Sequence, residues 1–305
     1  MFEFNFEVNE SDSSDTESPF KKPKIVEKPK SDLPKKKEKI DWYQAEEIKP
    51  TKDLLQNLDI FELNAKELTI GDIELRHLIA GFLLEDIKKH NDLDTQDLRK
   101  SEESHSDLIA GVYEGGAKIW ECTDDLLIYL SKNFEKSDWK EKLVLDLGCG
   151  SGLLGIYAFK CGAKVDFQDY NKDVLEKITM PNVLLNFEDT LNDDEKMELL
   201  QKCHFYAGDW SYFAELTNNL EKYDIILSSE TIYNIENQQK LLETFRKRLK
   251  KDGRVLVAGK SHYFGVGGGL EQFIDYVKSE NVFKTNYLWN ADENLKRGII
   301  ELKLQ

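Results

Sequence analysis

Residues 144–155 read VLDLGCGSGLLG: an apolar run that ends at Asp146 and Leu147, breaks into Gly148, Gly150 and Gly152, and resumes as an apolar segment. Glycines admit positive φ and carry no Cβ, so backbone can approach a ligand closely, and the N–H groups opening the next helix point at it. The spacing is G-x-G-x-G. A dinucleotide fingerprint would put its third glycine at position 153, where this chain has Leu153, and that argues against a nicotinamide dinucleotide. A nucleoside-binding loop of this kind also needs an acid at the end of the second strand, about 20 residues on, to accept the ribose hydroxyl protons. Asp169 stands there, and Asp166, in the middle of that strand, is the weaker competitor.

Outward from this loop, residues 106–305 alternate strand and helix signals, the pattern of an α/β domain with a mainly parallel sheet. Strands are expected at 142–147, 163–168, 203–207, 223–228 and 253–259, with helices starting near Ser151, Lys172, Ser211 and Asn237. Leu241, Leu242, Phe245 and Leu249 share one face of the helix from Asn237 to Lys250, and Gly253 reads as its stop. Two last strands, 282–289 and 298–304, lack a helical pattern between them and predict an antiparallel hairpin. The expectation is a Rossmann-like, seven-stranded sheet closed by that C-terminal hairpin.

The chain has 305 residues, a formal net charge of −16 and 40% hydrophobic residues, which excludes collagen, coiled coil and disordered classes. No run approaches the ~18 apolar residues of a membrane helix, and the first 30 residues lack a signal-peptide block, so an intracellular protein is expected. Cys122, Cys149, Cys161 and Cys203 form no C-x-x-C pair and the histidines no H-E-x-x-H, so neither a disulfide framework nor a metal site is expected. Five of six prolines lie in the first 50 residues beside the polar tract NESDSSDTES. Residues 21–39 hold nine lysines against three acids, a local charge of +6 that leaves −22 on the rest. That tract reads as an import signal recognised by a nuclear import receptor, as a nucleic-acid tether, or as a solvated tail. The organisation expected is a mostly disordered, lysine-rich tail (1–50), an accessory segment (51–105) of short strands or a helix, and the main domain (106–305). Phe2, Phe4 and Phe6 alternate with polar residues as a short strand or docking peptide would.

Ligands of open α/β sheets sit at the carboxyl edge of the strands. At the third strand end, Gly208-Asp209-Trp210 offers an acid for an adenine amino group and an indole to cover the ring, or else a helix N-cap and a core tryptophan. The fourth strand ends in SSETIY, where Glu230 is either a surface loop residue or a site residue, and its place opposite the glycine loop favours the second.

LDLGCGSG followed by FQDYN, GDW, SSETIY and AGKSHYFGVGGG resembles the seven-β-strand S-adenosylmethionine-dependent methyltransferases. GVYEGGxKIWEC, SETIY and KSHYFGVGGG narrow the resemblance to the histidine protein methyltransferase family, eukaryotic enzymes that act on a histidine of large-subunit ribosomal protein three. The match runs from about Ser104 to Leu304, with Ile235 standing where the family often has Pro or Asp. The resemblance implies that Asp146, Gly148 and Gly150 hold the methionyl part of S-adenosylmethionine, Asp169 its ribose, and Asp209 with Trp210 its adenine. Trp120 covers the cofactor, with a core tryptophan as the alternative reading, and Ser229 belongs to the same set. Glu230 and Tyr233 are the expected catalytic residues, with Thr231, Lys260, His262 and Tyr263 on the substrate side. The four glycines of KSHYFGVGGG are expected to let backbone approach a bound peptide. Transfer to the ring nitrogen remote from the side-chain stem, a monomeric enzyme, and a cytoplasmic and nuclear location, the nucleolus included, are further implications.

An in-line methyl transfer needs an uncharged nucleophile, and histidine, with an ordinary pKa of about 6.5, is largely neutral at cellular pH. Glu230 or a backbone carbonyl is the expected acceptor for the other ring N–H. The rival readings are a lysine methyltransferase of the same superfamily and a non-catalytic acidic assembly factor for a ribosomal protein. No membrane contact is expected, and the acidic domain argues against direct nucleic-acid binding.

Overall fold

A computed structural model describes residues 40–305 apart from 57, 80, 82–95, 105, 188–189 and 292–295. The phenylalanines at the start and the lysine tract lie outside the described residues. Ile40–Gln305 is one compact unit, so neither residue 50 nor residue 105 marks a break between compact units.

Its main sheet has eight strands, in the spatial order 46–48, 204–207, 164–169, 143–147, 223–229, 249–260, 297–304 and 283–290. The parallel centre consists of β4 (Leu143–Leu147), β5 (Lys164–Asp169), β6 (His204–Ala207), β7 (Tyr223–Ser229) and β8 (Leu249–Lys260). The expected hairpin is β9 (Phe283–Asn290) and β10 (Arg297–Leu304), and β10 pairs antiparallel with β8. An eighth strand, β1 (Glu46–Ile48), pairs antiparallel with the outer edge of β6 and comes from the stretch expected to be a disordered tail. The ambiguous segment after residue 51 holds β2 (Ala65–Ile70) and β3 (Ile73–Leu78), a separate two-stranded hairpin.

Both faces of the main sheet are covered, and the strands alternate between two cores accordingly. Val144, Ile225, Leu227, Leu256 and Ala258 join one core with residues of α1 (Glu121–Asn133) and α2 (Leu153–Lys160). Leu145, Leu147, Ile226, Val255 and Val257 join the other with α3 (Trp210–Leu216), α4 (Gln238–Arg248) and α5 (Leu270–Glu280). Gly155 lets α2 lie close to the sheet, because a Cβ there would come within 2.4 Å of the Phe167 ring.

One boundary differs from expectation. Gly253 does not stop the helix: α4 ends at Arg248 and passes directly into β8, with Gly253 inside the strand. The pairing of β7 with β8 shifts between Tyr223 and Ile225, and a Cβ at Gly253 would sit 2.9 Å from the Asp224 carbonyl. The glycine serves an irregular strand.

Among the described residues no helix is long and apolar enough to cross a membrane, and no group of three or more His, Cys, Asp or Glu is placed to hold a metal.

Candidate active site

The carboxyl ends of β4 to β7 open into a cleft of about 820 Å³, counted out to its mouth. Its walls bring together Trp120, Asp146, Gly148, Gly150, Asp169, Asp209, Trp210, Ser229, Glu230, Thr231 and Tyr233. Eight of these are the residues that the sequence assigned to the cofactor.

Asp146 is buried at the end of β4 and accepts a 2.8 Å bond from the Gly155 N–H. Burial pushes its carboxyl up to about 8, and nearby Asp169 adds to the rise. Asp169 accepts bonds from the N–H groups of Gly150 (2.9 Å) and Asn171 (3.1 Å). Burial outweighs those bonds and pushes it up to about 6. Asp166 does not line the cleft, and its carboxylate accepts a 2.7 Å bond from the Tyr223 hydroxyl in the core.

The glycine loop is a cradle that side chains would fill. Gly148 has φ +69° and a Cβ on it would lie 2.6 Å from Thr231 Cγ2; one on Gly150, at φ +51°, would lie 2.8 Å from the Gly116 carbonyl. Asp209 meets both of its readings, since it caps α3 by accepting from the Ser211 N–H at 3.0 Å and also lines the cleft. Its other oxygen pairs with Lys240 Nζ at 2.7 Å. The Trp210 indole donates to Gln168 (3.0 Å), and that of Trp120 to the Gly115 carbonyl (3.2 Å).

Among the lining or supporting residues that the sequence reading missed, four carry polar or aromatic groups that bear on the site. Trp42, from the arm that leads into β1, lines the cleft, and Lys240 Nζ lies 3.4 Å from the centre of its ring. The arm is held by stacking of Tyr43 on Tyr170 and by the bond from the Asp209 N–H to the Tyr43 carbonyl. Asn237 lines the cleft and its buried Oδ1 has no hydrogen-bond partner. Glu114, inside the quoted GVYEGG, accepts hydrogen bonds from the Tyr233 hydroxyl and, at 3.0 Å, from the Gly111 N–H. The aromatic in the arm was the one legible signal, diluted by the polar tail around it.

A second cavity, about 1050 Å³ counted out to its mouth, is lined by Lys260, His262, Tyr263, Phe264 and Val266 on one side and Asp107 and Leu108 on the other. Glu114, Trp120, Glu230 and Tyr233 line both cavities and form the neck between them. Glu230 has φ +58°, a conformation that costs a non-glycine residue about 1–3 kcal/mol. It is held there by the Tyr263 hydroxyl, donating at 2.5 Å, and by the Cys122 N–H at 3.3 Å in the first turn of α1. Lys260 pairs with Glu121 at 2.9 Å and lies 4.0 Å from Glu230. His262 is exposed and packs edge-on against Phe264. Thr231, expected on the substrate side, lines the first cleft, with its hydroxyl 2.8 Å from that of Ser228.

The glycines of the 260–269 loop serve the loop's own folding more than an incoming peptide. A Cβ on Gly268 would strike the Ile232 and Tyr233 carbonyls at 2.3 and 2.4 Å, and one on Gly269 the Ser261 carbonyl at 2.2 Å. Only Gly265 faces open space in this set.

Two buried acids without a cationic partner, an unpartnered amide oxygen, three tryptophans and a glycine cradle fit a ligand that carries a positive charge, hydroxyls and a flat ring. The model of the family described as lysine methyltransferase matches residues 98–279. The chain is 43% identical over 320 residues to the histidine protein methyltransferase 1 homolog of Bos taurus, covering 99% of this chain and 83% of that protein. It is 41% identical over 321 residues to the homolog of Mus musculus, covering 96% and 83%. Among solved structures it is similar to the ribosomal protein L11 methylase of Lactobacillus delbrueckii subsp. bulgaricus, at 20% identity and a TM-score of 0.42 over 62% of this chain and 81% of that one. With S-adenosylmethionine as its methyl donor, this chain belongs to the histidine protein methyltransferase 1 family.

Proposed function

We propose that this protein transfers a methyl group to a histidine of large-subunit ribosomal protein three, at the ring nitrogen remote from the side-chain stem. The observation that carries the reading is the neck, where a donor cleft and a second cavity share Glu114, Trp120, Glu230 and Tyr233. In this reading a side chain reaching in from the second cavity meets the donor cleft at these residues. Support for a basic partner comes from the −22 charge outside the lysine tract.

S-adenosylmethionine, when bound, supplies an electrophilic methyl group on a sulfonium. The chain's own residues supply position and electrostatics. In this reading Asp146, Gly148 and Gly150 hold the methionyl part, Asp169 the ribose, and Asp209, Trp210 and Trp42 enclose the adenine, with Ser229 and Trp120 completing the wall. Glu230 and Tyr233 face the acceptor, the Glu230 carboxylate favouring the positive charge that develops on the ring. Lys260, His262 and Tyr263 contact the polypeptide around it, and Thr231 backs the glycine loop. A neutral imidazole needs no strong base to become nucleophilic, whereas a lysine must first lose a proton held with a pKa near 10.4. The enzyme acts as a monomer.

The test uses ribosomal and unassembled-protein fractions from cells lacking this protein, incubated with the full chain and radiolabelled S-adenosylmethionine and then acid-hydrolysed. Methylhistidine in a single ribosomal-protein band, lost with Asp146→Ala, is the expected result. Because the matching family is described by lysine, the hydrolysate is resolved for methyllysine as well, and label there overturns the reading. Cofactor binding without any transfer moves the protein to the assembly-factor alternative.

A further inference from the structure

We propose that Glu114, held by Tyr233, is the acceptor that fixes the tautomer of the target imidazole and takes its proton after methyl transfer. This rests on the histidine reading above. Two carboxylates stand at the neck, and their environments separate their roles. Glu230 has one oxygen bonded to the Cys122 N–H at the start of α1 and the other to the Tyr263 hydroxyl at 2.5 Å, with Lys260 at 4.0 Å. Those bonds tie the end of β7 to α1 and to the 260–269 loop, so Glu230 holds the wall and supplies negative charge.

Glu114 is held by bonds of the same kind but lacks the lysine that stands beside Glu230. One oxygen accepts from the Gly111 N–H and the other from the Tyr233 hydroxyl, and no Lys or Arg salt bridge neutralises it among the described residues. A carboxylate has about four lone-pair positions, so two remain for an incoming N–H. Its position is set by a backbone bond in the 109–113 turn, where Ile109 and Tyr113 form an isolated bridge, and by Tyr233 from the loop after β7. Glu114 and Tyr233 both line the two cavities, so the carboxylate and the hydroxyl that holds it stand together where the acceptor ring enters. Burial raises its pKa, with the Tyr233 bond opposing, which makes it a readier proton acceptor than a surface glutamate.

The chemistry then balances at named atoms. The ring enters neutral, donating one N–H to Glu114 and leaving the lone pair of the other nitrogen toward the donor cleft. That lone pair forms the N–C bond while the electron pair of the breaking S–C bond returns to sulfur. The ring is left cationic, and its remaining N–H proton passes to the Glu114 carboxylate and on to solvent, so the product leaves as a neutral methylhistidine. A ring held by its N–H in this way can be methylated on one nitrogen only.

The experiment measures turnover on the substrate protein, donor affinity by calorimetry, and the two methylhistidine isomers by chromatography, for the wild type, Glu114→Gln and Tyr233→Phe. Glutamine keeps the shape, but its amide donates as well as accepts and cannot take a proton. Expected are a fall in kcat of roughly 10²-fold for Glu114→Gln, donor affinity within about threefold of wild type, and a single isomer in the wild type becoming a mixture in both variants. The isomer ratio is a readout that a merely structural role leaves unmoved. A Glu114→Gln enzyme with wild-type kcat and one isomer overturns the assignment. If Glu114→Gln fails to fold or bind donor, Tyr233→Phe decides: an unmixed product there also overturns it. A wild type that makes no methylhistidine overturns the histidine reading and this one with it, an outcome distinct from an active wild type whose variants are unaffected.

Discussion

Asp146 and Asp169 are two carboxyls that the fold has buried without a counter-charge, and this makes donor binding pH-dependent. With Asp146 raised to about 8, much of it is protonated near neutrality, and a cationic ligand must displace that proton. Donor affinity is therefore expected to rise between pH 6 and 7.5, by at most about tenfold per unit. In Asp146→Asn calorimetry should find binding 10- to 100-fold weaker, about what a charged hydrogen bond contributes, and flat with pH. Trp42→Ala removes the aromatic partner of Lys240 at the same cleft. Its expected cost is about three- to tenfold in donor affinity, with the melting temperature nearly unchanged. Asp146, Asp169 and Glu230 were legible because an acid at the end of an apolar strand has few uses. Glu114 and Trp42 were not, for a lone glutamate reads as solvated surface and a lone tryptophan in a lysine-rich stretch is averaged into its surroundings.

Among the elements, the central strands announce themselves because both faces of the sheet are covered, which leaves near-continuous runs such as KLVLDL and YDIILS. The three-residue β1 has no such run. Only Ile48 of Glu46–Ile48 is buried, and the strand exists because the edge of β6 needs a partner. Pairing of this kind is a tertiary fact that local composition does not carry. Gly253 was misread for a related reason: a glycine after a helix usually ends it, but here the strand's irregular pairing required it. Removing residues 1–39 is expected to leave melting temperature and donor affinity unchanged. Removing 1–50 takes away Ile48 burial, worth about 1.5–3 kcal/mol, together with Trp42. Thermal denaturation should show a fall of several degrees, and calorimetry an affinity about tenfold weaker.

Over the whole molecule, the buried carboxyls set a direction for stability against pH. Burial raises Asp146, Asp173 and Asp169 to about 8, 7 and 6, while in the unfolded chain they titrate near 3.9. Between those limits the folded state holds more protons, so stability falls as pH rises from about 4 through about 8. The ligand-free protein should melt at a higher temperature at pH 6 than at pH 8, and Asp146→Asn should flatten that slope. The arm adds a consequence of another kind, one of timing. Glu46 pairs with Ala207, so a strand made early must find an edge made much later. At ribosomal speeds of about 5–20 residues per second that interval is roughly 10–30 s. Trp42 is thus among the first residues of the cleft to leave the ribosome and among the last to be seated, and a nascent chain acquires its complete donor pocket only after Asn237 has been made.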